Sequence, residues 1–447
     1  PVDKQVGSKA FAGSINLDGS LRIKVERTSE DNTIARIVTL VEEAQEARAP
    51  TERFIDTFSR YYMPIIVGIA IITAVVPPLL GMGDWETWIY RALALLLIGC
   101  PCALVISVPA SIASSLSTAA RNGMLIKGGA VLEALAKTEV VAFDKTGTLT
   151  LGKPKVTDAI AIDGDVTRLL SDAMAIEEQS SHPLAEAIVA HGKSLNLPAT
   201  SASDVKAIAG RGMSGVIAGR DIFIGAPRFA KDYGSIPSEA SSTIDALERE
   251  GKTVSVVMEG GAIVGLFALR DEPRDNAAKG VASLKELGVE SLMLSGDNSR
   301  TANAIASQLG MTALGELLPE DKVKEIRKLT DNRRTVMVGD GINDAPALAA
   351  ASVGIAIGSG TDVAMEAADA ALMRSNIGDV ARLISLSRAT MVNIRQNVII
   401  SLGLKAVFLM TTLFGLTGLW LAIFADTGAT VLVTANAMRL LGYFKKA

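Results

Sequence analysis

The chain has 447 residues, with 44 Lys plus Arg against 48 Asp plus Glu and a formal net charge of −4, a balance that gives nucleic acid no electrostatic footprint. Two cysteines, at 100 and 102, and two histidines in all exclude a disulfide scaffold and a histidine-cluster metal centre. Only 21% of residues are charged and the mean hydropathy is +0.34, which excludes a purely soluble chain and calls for membrane segments.

The chain opens Pro1-Val2-Asp3-Lys4 without an initiator Met. Residues 1–27 read as short strands with glycine turns, the edge of a β domain that begins upstream, and 33–47 read as a helix. Apolar runs from Tyr62 to Leu80, Trp88 to Ala110, Val398 to Phe414 and Leu419 to Leu441 are expected to span a bilayer in two hairpins. The hairpin tips, 81–87 and 415–418, carry no Lys or Arg. The opposite flanks carry Arg48, Arg53, Arg60, Arg121, Lys127, Arg388, Arg395, Lys445 and Lys446, which places that side in the cytoplasm.

Between the hairpins, Val140 to Phe143 is a buried parallel strand ending in Asp144, and Ser291 to Leu294 and Thr335 to Val338 repeat the pattern ahead of Asp297 and Asp340. Helices over 275–287, 299–309 and 320–329 complete a doubly wound α/β domain with polar loops at the carboxyl ends of its strands. Residues 151–269 interrupt it as an α+β insert, with a helix at 167–192 and strands near 216–218, 222–224, 254–258 and 263–268. The expected domains are therefore 1–48 as a domain remnant with a linker helix, 49–120 and 388–447 as transmembrane hairpins, 121–150 with 270–387 as the α/β domain, and 151–269 as the insert.

Asp144 is the sharpest candidate for chemistry. A carboxylate at a strand end can attack a phosphoryl group, Asp340 can offer a second carboxylate to Mg²⁺, and Lys322 can supply a point charge. Within the second span, Pro101 opens the helix between Cys100 and Cys102, whose thiolates suit soft or borderline cations. Lys405 and Asp426 are charges inside the third and fourth spans, where burial is costly and usually functional. Asp426 would add an oxygen ligand to the two thiolates, and Lys405 would be its counter-charge once the metal has left.

Asp144-Lys145-Thr146-Gly147-Thr148-Leu149-Thr150, Gly339-Asp340-Gly341-Ile342-Asn343-Asp344 and Ser295-Gly296-Asp297 resemble the phosphorylation, hinge and TGD motifs of P-type ATPases, whose catalytic domain is of the haloacid-dehalogenase type. The resemblance implies that Asp144 is phosphorylated, that Asp144, Asp340 and the Thr146 carbonyl hold Mg²⁺, and that Lys145, Thr148, Gly296, Asp297, Lys322, Asn343 and Asp344 organise the phosphate. The insert is similar to the nucleotide-binding domain of the heavy-metal branch. There Glu177, His182, Gly210, Gly212 and Gly225 would contact ATP. Lys405 together with Asp426-Thr427-Gly428 resembles the zinc/cadmium/lead subgroup, not the Tyr-Asn and Met, Ser-Ser pattern of copper exporters.

The implied activity is ATP-driven export of Zn²⁺, and also of Cd²⁺ and Pb²⁺, by an integral protein of the plasma (inner) membrane that works as a monomer with its catalytic domains in the cytoplasm. The actuator motif Thr-Gly-Glu-Ser would fall ahead of Pro1, so the chain alone is expected to bind ATP but not to complete the cycle. A membrane-tethered phosphatase is the competing reading. Thr146 stands where such enzymes usually place a second Asp, which favours a longer-lived phosphoenzyme. A metal sensor would have no use for Asp144 and Lys322 together.

Overall fold

A computed structural model describes residue 24 and residues 49–162, 164–180, 182–198, 200–208, 211–230, 232–340, 344–358, 368–413 and 419–445. The expected strands of 1–27 and helix of 33–47, together with Gly210 and Asn343, lie outside the described residues, Lys24 alone excepted. The chain divides into two compact units, 1–137 with 369–373 and 382–447, and 138–368 with 374–381.

The second unit holds a parallel sheet ordered Val353–Ile357, Thr335–Gly339, Val140–Asp144, Glu290–Leu294, Thr312–Leu314. Its two central strands are buried along their whole length, which is why they read as unbroken Val-rich runs without alternation. Helices Ala277–Glu286, Ser299–Leu309, Pro319–Asn332 and Ala345–Ala350 connect the strands. Val140–Asp144 comes first in sequence yet sits in the middle, so the strand order reverses at Asp144. Ligands bind such sheets at that switch point. Asp144 is in register with Leu294, and Phe143 with Val338, so the loops beginning at Ser295 and Asp340 start beside it.

The insert is a six-stranded antiparallel sheet, ordered Lys155–Ala161, Ala262–Arg270, Thr253–Glu259, Arg220–Gly225, Gly212–Ile217, Ser203–Ile208. One face packs Leu170, Ile176, Ile188 and Phe267, the other Phe223, Ile244, Val256 and Leu266. The single helix expected at 167–192 is two helices, Val166–Glu177 and Pro183–Ser194. Proline lacks an N–H and disfavours helical geometry in the residue before it, so Pro183 starts a helix instead of continuing one. His182 caps that start: its Nδ1 accepts from the Leu184 N–H at 3.3 Å.

In the first unit, helix Pro50–Leu79 and the run Trp85–Arg121 are long and apolar enough to cross a membrane, among the described residues. The run breaks at Cys100–Pro101 into Trp85–Gly99 and Cys102–Arg121. The third and fourth expected spans fall on helices Gly378–Leu413 and Leu419–Met438, the latter followed by a 3₁₀ turn, Arg439–Lys445. Ile65, Ile71, Leu79 and Phe424 are all more than half exposed, an apolar surface suited to lipid. The buried side is partly polar. Ser111 Oγ donates to Asn393 Oδ1 at 2.9 Å, Asn436 Nδ2 donates to Asn397 Oδ1 at 2.8 Å, and Ser115 and Thr390 share a bond of 2.6 Å. In hydrocarbon such pairs hold helices together where apolar contact alone gives no preference for helix over lipid.

Candidate phosphorylation and metal sites

Asp144 ends its buried strand and is 5% exposed. Lys322 Nζ, from the first turn of the Pro319–Asn332 helix, bridges Asp144 Oδ1 at 2.5 Å and Asp344 Oδ1 at 2.9 Å. Burial pushes the Asp144 carboxyl up to about 7, with Asp344 and Asp340 adding like charge and Lys322 opposing them. Burial works against the Lys322 charge as well, but Asp144 and Asp344 outweigh it and hold the ammonium above its ordinary value.

The loop after Asp144 doubles back tightly. Gly147 has φ +73°, and a Cβ there would lie 2.6 Å from Asp340 Oδ2, so the backbone passes against Asp340 only because the residue is glycine. Lys145 Nζ is paired with Asp297 Oδ2 at 2.5 Å. Among the described residues the buried Thr148 hydroxyl has no hydrogen-bond partner. Buried polar atoms are normally satisfied, so an orphan hydroxyl on the loop that follows Asp144 marks a place for a polar ligand.

Two residues outside the expected set hold this loop. Arg274 donates from Nε to the Thr148 carbonyl at 2.8 Å and from Nη2 to the Gly147 carbonyl at 2.6 Å. Asp271 accepts from Thr150 Oγ1 at 2.5 Å and from the Lys153 N–H at 3.2 Å. The available signal was Asp271-Glu272-Pro273-Arg274, a charged turn directly after the last strand of the insert.

In the insert, Glu177 is 7% exposed and burial raises its carboxyl from 4.5 to about 7. Burial pushes the His182 imidazole down, and Asp297 is near enough to oppose that shift. Gly212 and Gly225 face each other across paired strands. A Cβ on Gly212 would lie 2.0 Å from the Ile224 carbonyl oxygen, and one on Gly225 would lie 2.3 Å from that of Arg211. Close strand contact is thus a sufficient reason for both glycines, one that sequence reading did not supply.

Glu177 yields a signed prediction. Its folded value lies above its unfolded value, so the folded state holds the proton more tightly. That contribution to stability is full below the unfolded value and is lost as pH rises toward about 7. Glu177→Gln is expected to flatten this slope, stabilising the chain by up to about 3 kcal/mol near pH 8 and little in mild acid. Calorimetric melting at both pH values checks it, and an unchanged slope would show that Glu177 is not the group that titrates.

The second site lies in the first unit. Lys405 Nζ donates to Asp426 Oδ1 at 3.0 Å, to the Ile98 carbonyl at 3.0 Å and to the Cys100 carbonyl. The helix break at Pro101 leaves these carbonyls without their usual partners, and the lysine takes them. Lys405 and Asp426 side chains are 14% and 18% exposed.

Cys100 and Cys102, expected as thiolate ligands, come together across Pro101, with Cα atoms 5.3 Å apart. The turn at Pro101 brings both sulfurs to one point. Among the described residues no group of three His, Cys, Asp or Glu converges as a metal cage, and Asp426 is turned to Lys405.

The haloacid dehalogenase-like hydrolase family matches residues 138–352, and the P-type ATPase actuator domain matches residues 1–42. The chain is 50% identical over 443 residues to a zinc/cadmium/lead-transporting P-type ATPase of Shigella sonnei (strain Ss046), covering 99% of this chain and 60% of that protein. It is 43% identical over 451 residues to a cadmium-transporting ATPase of Staphylococcus aureus, covering 99% and 62%. A crystal structure of a zinc-transporting PIB-type ATPase in the E2.Pi state superimposes with a TM-score of 0.70 at 51% identity, over 94% of this chain and 69% of that one. The chain thus spans about 60% of the length of the curated relative from Shigella. A haloacid-dehalogenase-type α/β unit with a nucleotide-domain-like insert, apolar helices of spanning length and half-identity along nearly every residue leave one assignment: the chain belongs to the P-type ATPases, with its likeness on their metal-transporting PIB branch.

Proposed function

We propose that the whole protein exports Zn²⁺, and also Cd²⁺ and Pb²⁺, from the cytoplasm across the plasma (inner) membrane at the expense of ATP, acting as a monomer. The observation that carries the reading is Asp144 at the switch point of the sheet, held by Lys322 against Asp344. An Asp144 carboxylate oxygen attacks the γ-phosphorus of ATP, the bond to the bridging oxygen breaks, and ADP leaves with that electron pair. Water later attacks the phosphorus of the aspartyl phosphate, and the Asp144 carboxylate leaves as phosphate is released.

Lys322 orients the attacking carboxylate and lends positive charge to the transferring group. Arg274 and the Lys145–Asp297 pair keep the loop from moving during attack. Asp144, Asp340 and the Thr146 carbonyl are hard oxygens of the kind Mg²⁺ takes, and bound Mg²⁺ would neutralise charge on the phosphate. The orphan Thr148 hydroxyl fits a phosphate oxygen on the same loop. Glu177 and His182 would hold the nucleotide from the insert, and Gly210, Gly212 and Gly225 would let its backbone lie close.

For the cargo, Asp426 with the thiolates of Cys100 and Cys102 gives two soft donors and one hard one, a mixture that Zn²⁺, Cd²⁺ and Pb²⁺ accept. Lys405 then takes the place of the departing cation. A buried lysine beside the ligands suits a divalent ion that leaves a carboxylate behind, and it has no use in an all-sulfur site for Cu⁺. The test is ATP hydrolysis by the whole protein in reducing proteoliposomes. Stimulation by Zn²⁺, Cd²⁺ and Pb²⁺ above Cu⁺ and Co²⁺ is expected. Stimulation by Cu⁺ alone would overturn the cargo assignment, and metal-independent hydrolysis would restore the phosphatase reading.

A further inference from the structure

The insert joins the α/β domain through two crossings of the chain, after Thr150 and before Asp271, and these lie side by side. The Leu151 N–H donates to the Glu272 carbonyl at 3.1 Å, and Thr150 Oγ1 donates to Asp271 Oδ2 at 2.5 Å. Two adjacent crossings act as one hinge: they tie the insert down but leave its tilt to be fixed by something else.

A third contact lies off that hinge, where helix Ser299–Leu309 of the α/β domain meets the C-terminal end of insert helix Ser238–Arg249. Arg300 Nη1 donates to Asp245 Oδ1 at 2.5 Å and to Glu248 Oε2 at 3.0 Å. The next residue, Thr301, is buried and donates from Oγ1 to the Lys252 carbonyl at 2.9 Å. An exposed ion pair alone is worth little. Here one guanidinium nitrogen serves two carboxylates, and Glu248 is buried. A tilt that drew Arg300 away while Glu248 stayed covered would leave a buried charge unpaired, which is costly.

The same segment serves the phosphoryl site. Asp297, three residues before Arg300, holds Lys145, the residue after Asp144. His182 of the insert is near enough to Asp297 for that charge to act on its imidazole. The helix that His182 starts packs on one face of the insert's sheet, and the helix carrying Asp245 and Glu248 packs on the other. Residues 297–301 are thus met from both faces, and rocking of the insert about its hinge would shift His182 relative to Asp144. A misplacement of about 1 Å near reacting groups can cost 100-fold.

We propose that Arg300 is a positioning residue, a strut whose contact with Asp245 and Glu248 sets the tilt at which nucleotide held by the insert presents its γ-phosphoryl group to Asp144. Arg300 acts through the insert and not on the reacting atoms. The inference rests on the phosphoryl transfer proposed above.

The test uses the whole protein in proteoliposomes with Zn²⁺ present. Arg300→Gln is expected to slow phosphoenzyme formation from γ-³²P-ATP about tenfold at saturating nucleotide. ADP affinity should stay within about twofold, because ADP has no γ-phosphoryl group to place. Arg300→Lys is expected to keep most of the rate, since one nitrogen makes both bonds. Asp245→Arg should be slow alone, and combined with Arg300→Asp it should return to within about threefold of the unaltered protein. A double variant no faster than either single variant, or an unchanged rate in Arg300→Gln, would overturn the proposal. So would an equal loss of ADP affinity, which would make Arg300 a support for the insert's own fold. The tilt is read separately, from distances between spin labels at the exposed Ala190 and Asp331, attached through non-natural side chains that spare the cysteines. Arg300→Gln is expected to broaden that distribution, and an unchanged one would overturn the strut. If it broadens while the unaltered protein carries no label on Asp144, the strut stands and the reading of Asp144 falls.

Discussion

Asp144→Asn is expected to remove metal-stimulated ATP hydrolysis, by roughly 10⁴-fold or more, because the step it disables has no second nucleophile to take it over. Nucleotide affinity should stay within about twofold, since the groups proposed to hold the adenine lie in the insert and do not touch Asp144. The variant should fold. Asp144 is packed among Asp340, Asp344 and Lys322, and an amide there removes like-charge repulsion while still accepting from Lys322. Acid-stable incorporation of γ-³²P reads the intermediate directly. Label retained in Asp144→Asn would place the phosphoryl group on another residue and overturn the assignment of the nucleophile.

The opposed substitutions at Lys405 and Asp426 carry the second large effect. Asp426→Ala removes a ligand and leaves a cation in the site, so metal affinity should fall by at least about 100-fold. Lys405→Met does the reverse. It leaves a carboxylate in an apolar setting with two nearby carbonyls no longer bonded, and unpairing a buried ion pair costs about 3–5 kcal/mol. A divalent ion can relieve that cost. Half-saturating metal should therefore drop in Lys405→Met while maximal turnover also drops, because release is slowed. Metal-dependent ATPase curves for the two variants decide the matter. If half-saturation rises in both, the pair is a structural tie between helices and Lys405 is not a counter-charge.

What could be read from the chain depended on how local the physics was. Asp144, Asp297 and Asp340 stood out because each follows a short buried strand, and strand ends in such sheets carry ligands. Lys322 was legible only as a lysine of suitable type; its bridge between Asp144 and Asp344 depends on how a helix 178 residues downstream of Asp144 packs. Arg274 was missed for the same reason, since it acts on the carbonyls of Gly147 and Thr148, more than 120 residues earlier. The helix expected through 167–192 was too long because its apolar spacing runs on past Pro183, and the local rule for proline was given too little weight against periodicity. Strands Met124–Ile126, Thr312–Leu314 and Ala370–Leu372 have three residues each, too few for any repeat to register. The Cys100–Pro101–Cys102 run was legible because proline breaks a helix locally, and the apolar run does divide there, into Trp85–Gly99 and Cys102–Arg121.

Lys405 bonds at once to Asp426 and to the two carbonyls freed by the broken helix. On the cargo site proposed above, its ammonium occupies the very oxygens an arriving cation would use. It would then be a competitor attached to the protein, present at an effective concentration that dilution cannot lower. A metal ion would enter only by binding more strongly than that tethered rival. On that proposal the lysine sets a threshold of affinity as well as a route for expulsion. Ions that bind the oxygens no better than an ammonium would be turned away without any steric filter. Moving the lysine by one helical turn would shift that threshold while leaving every metal ligand in place.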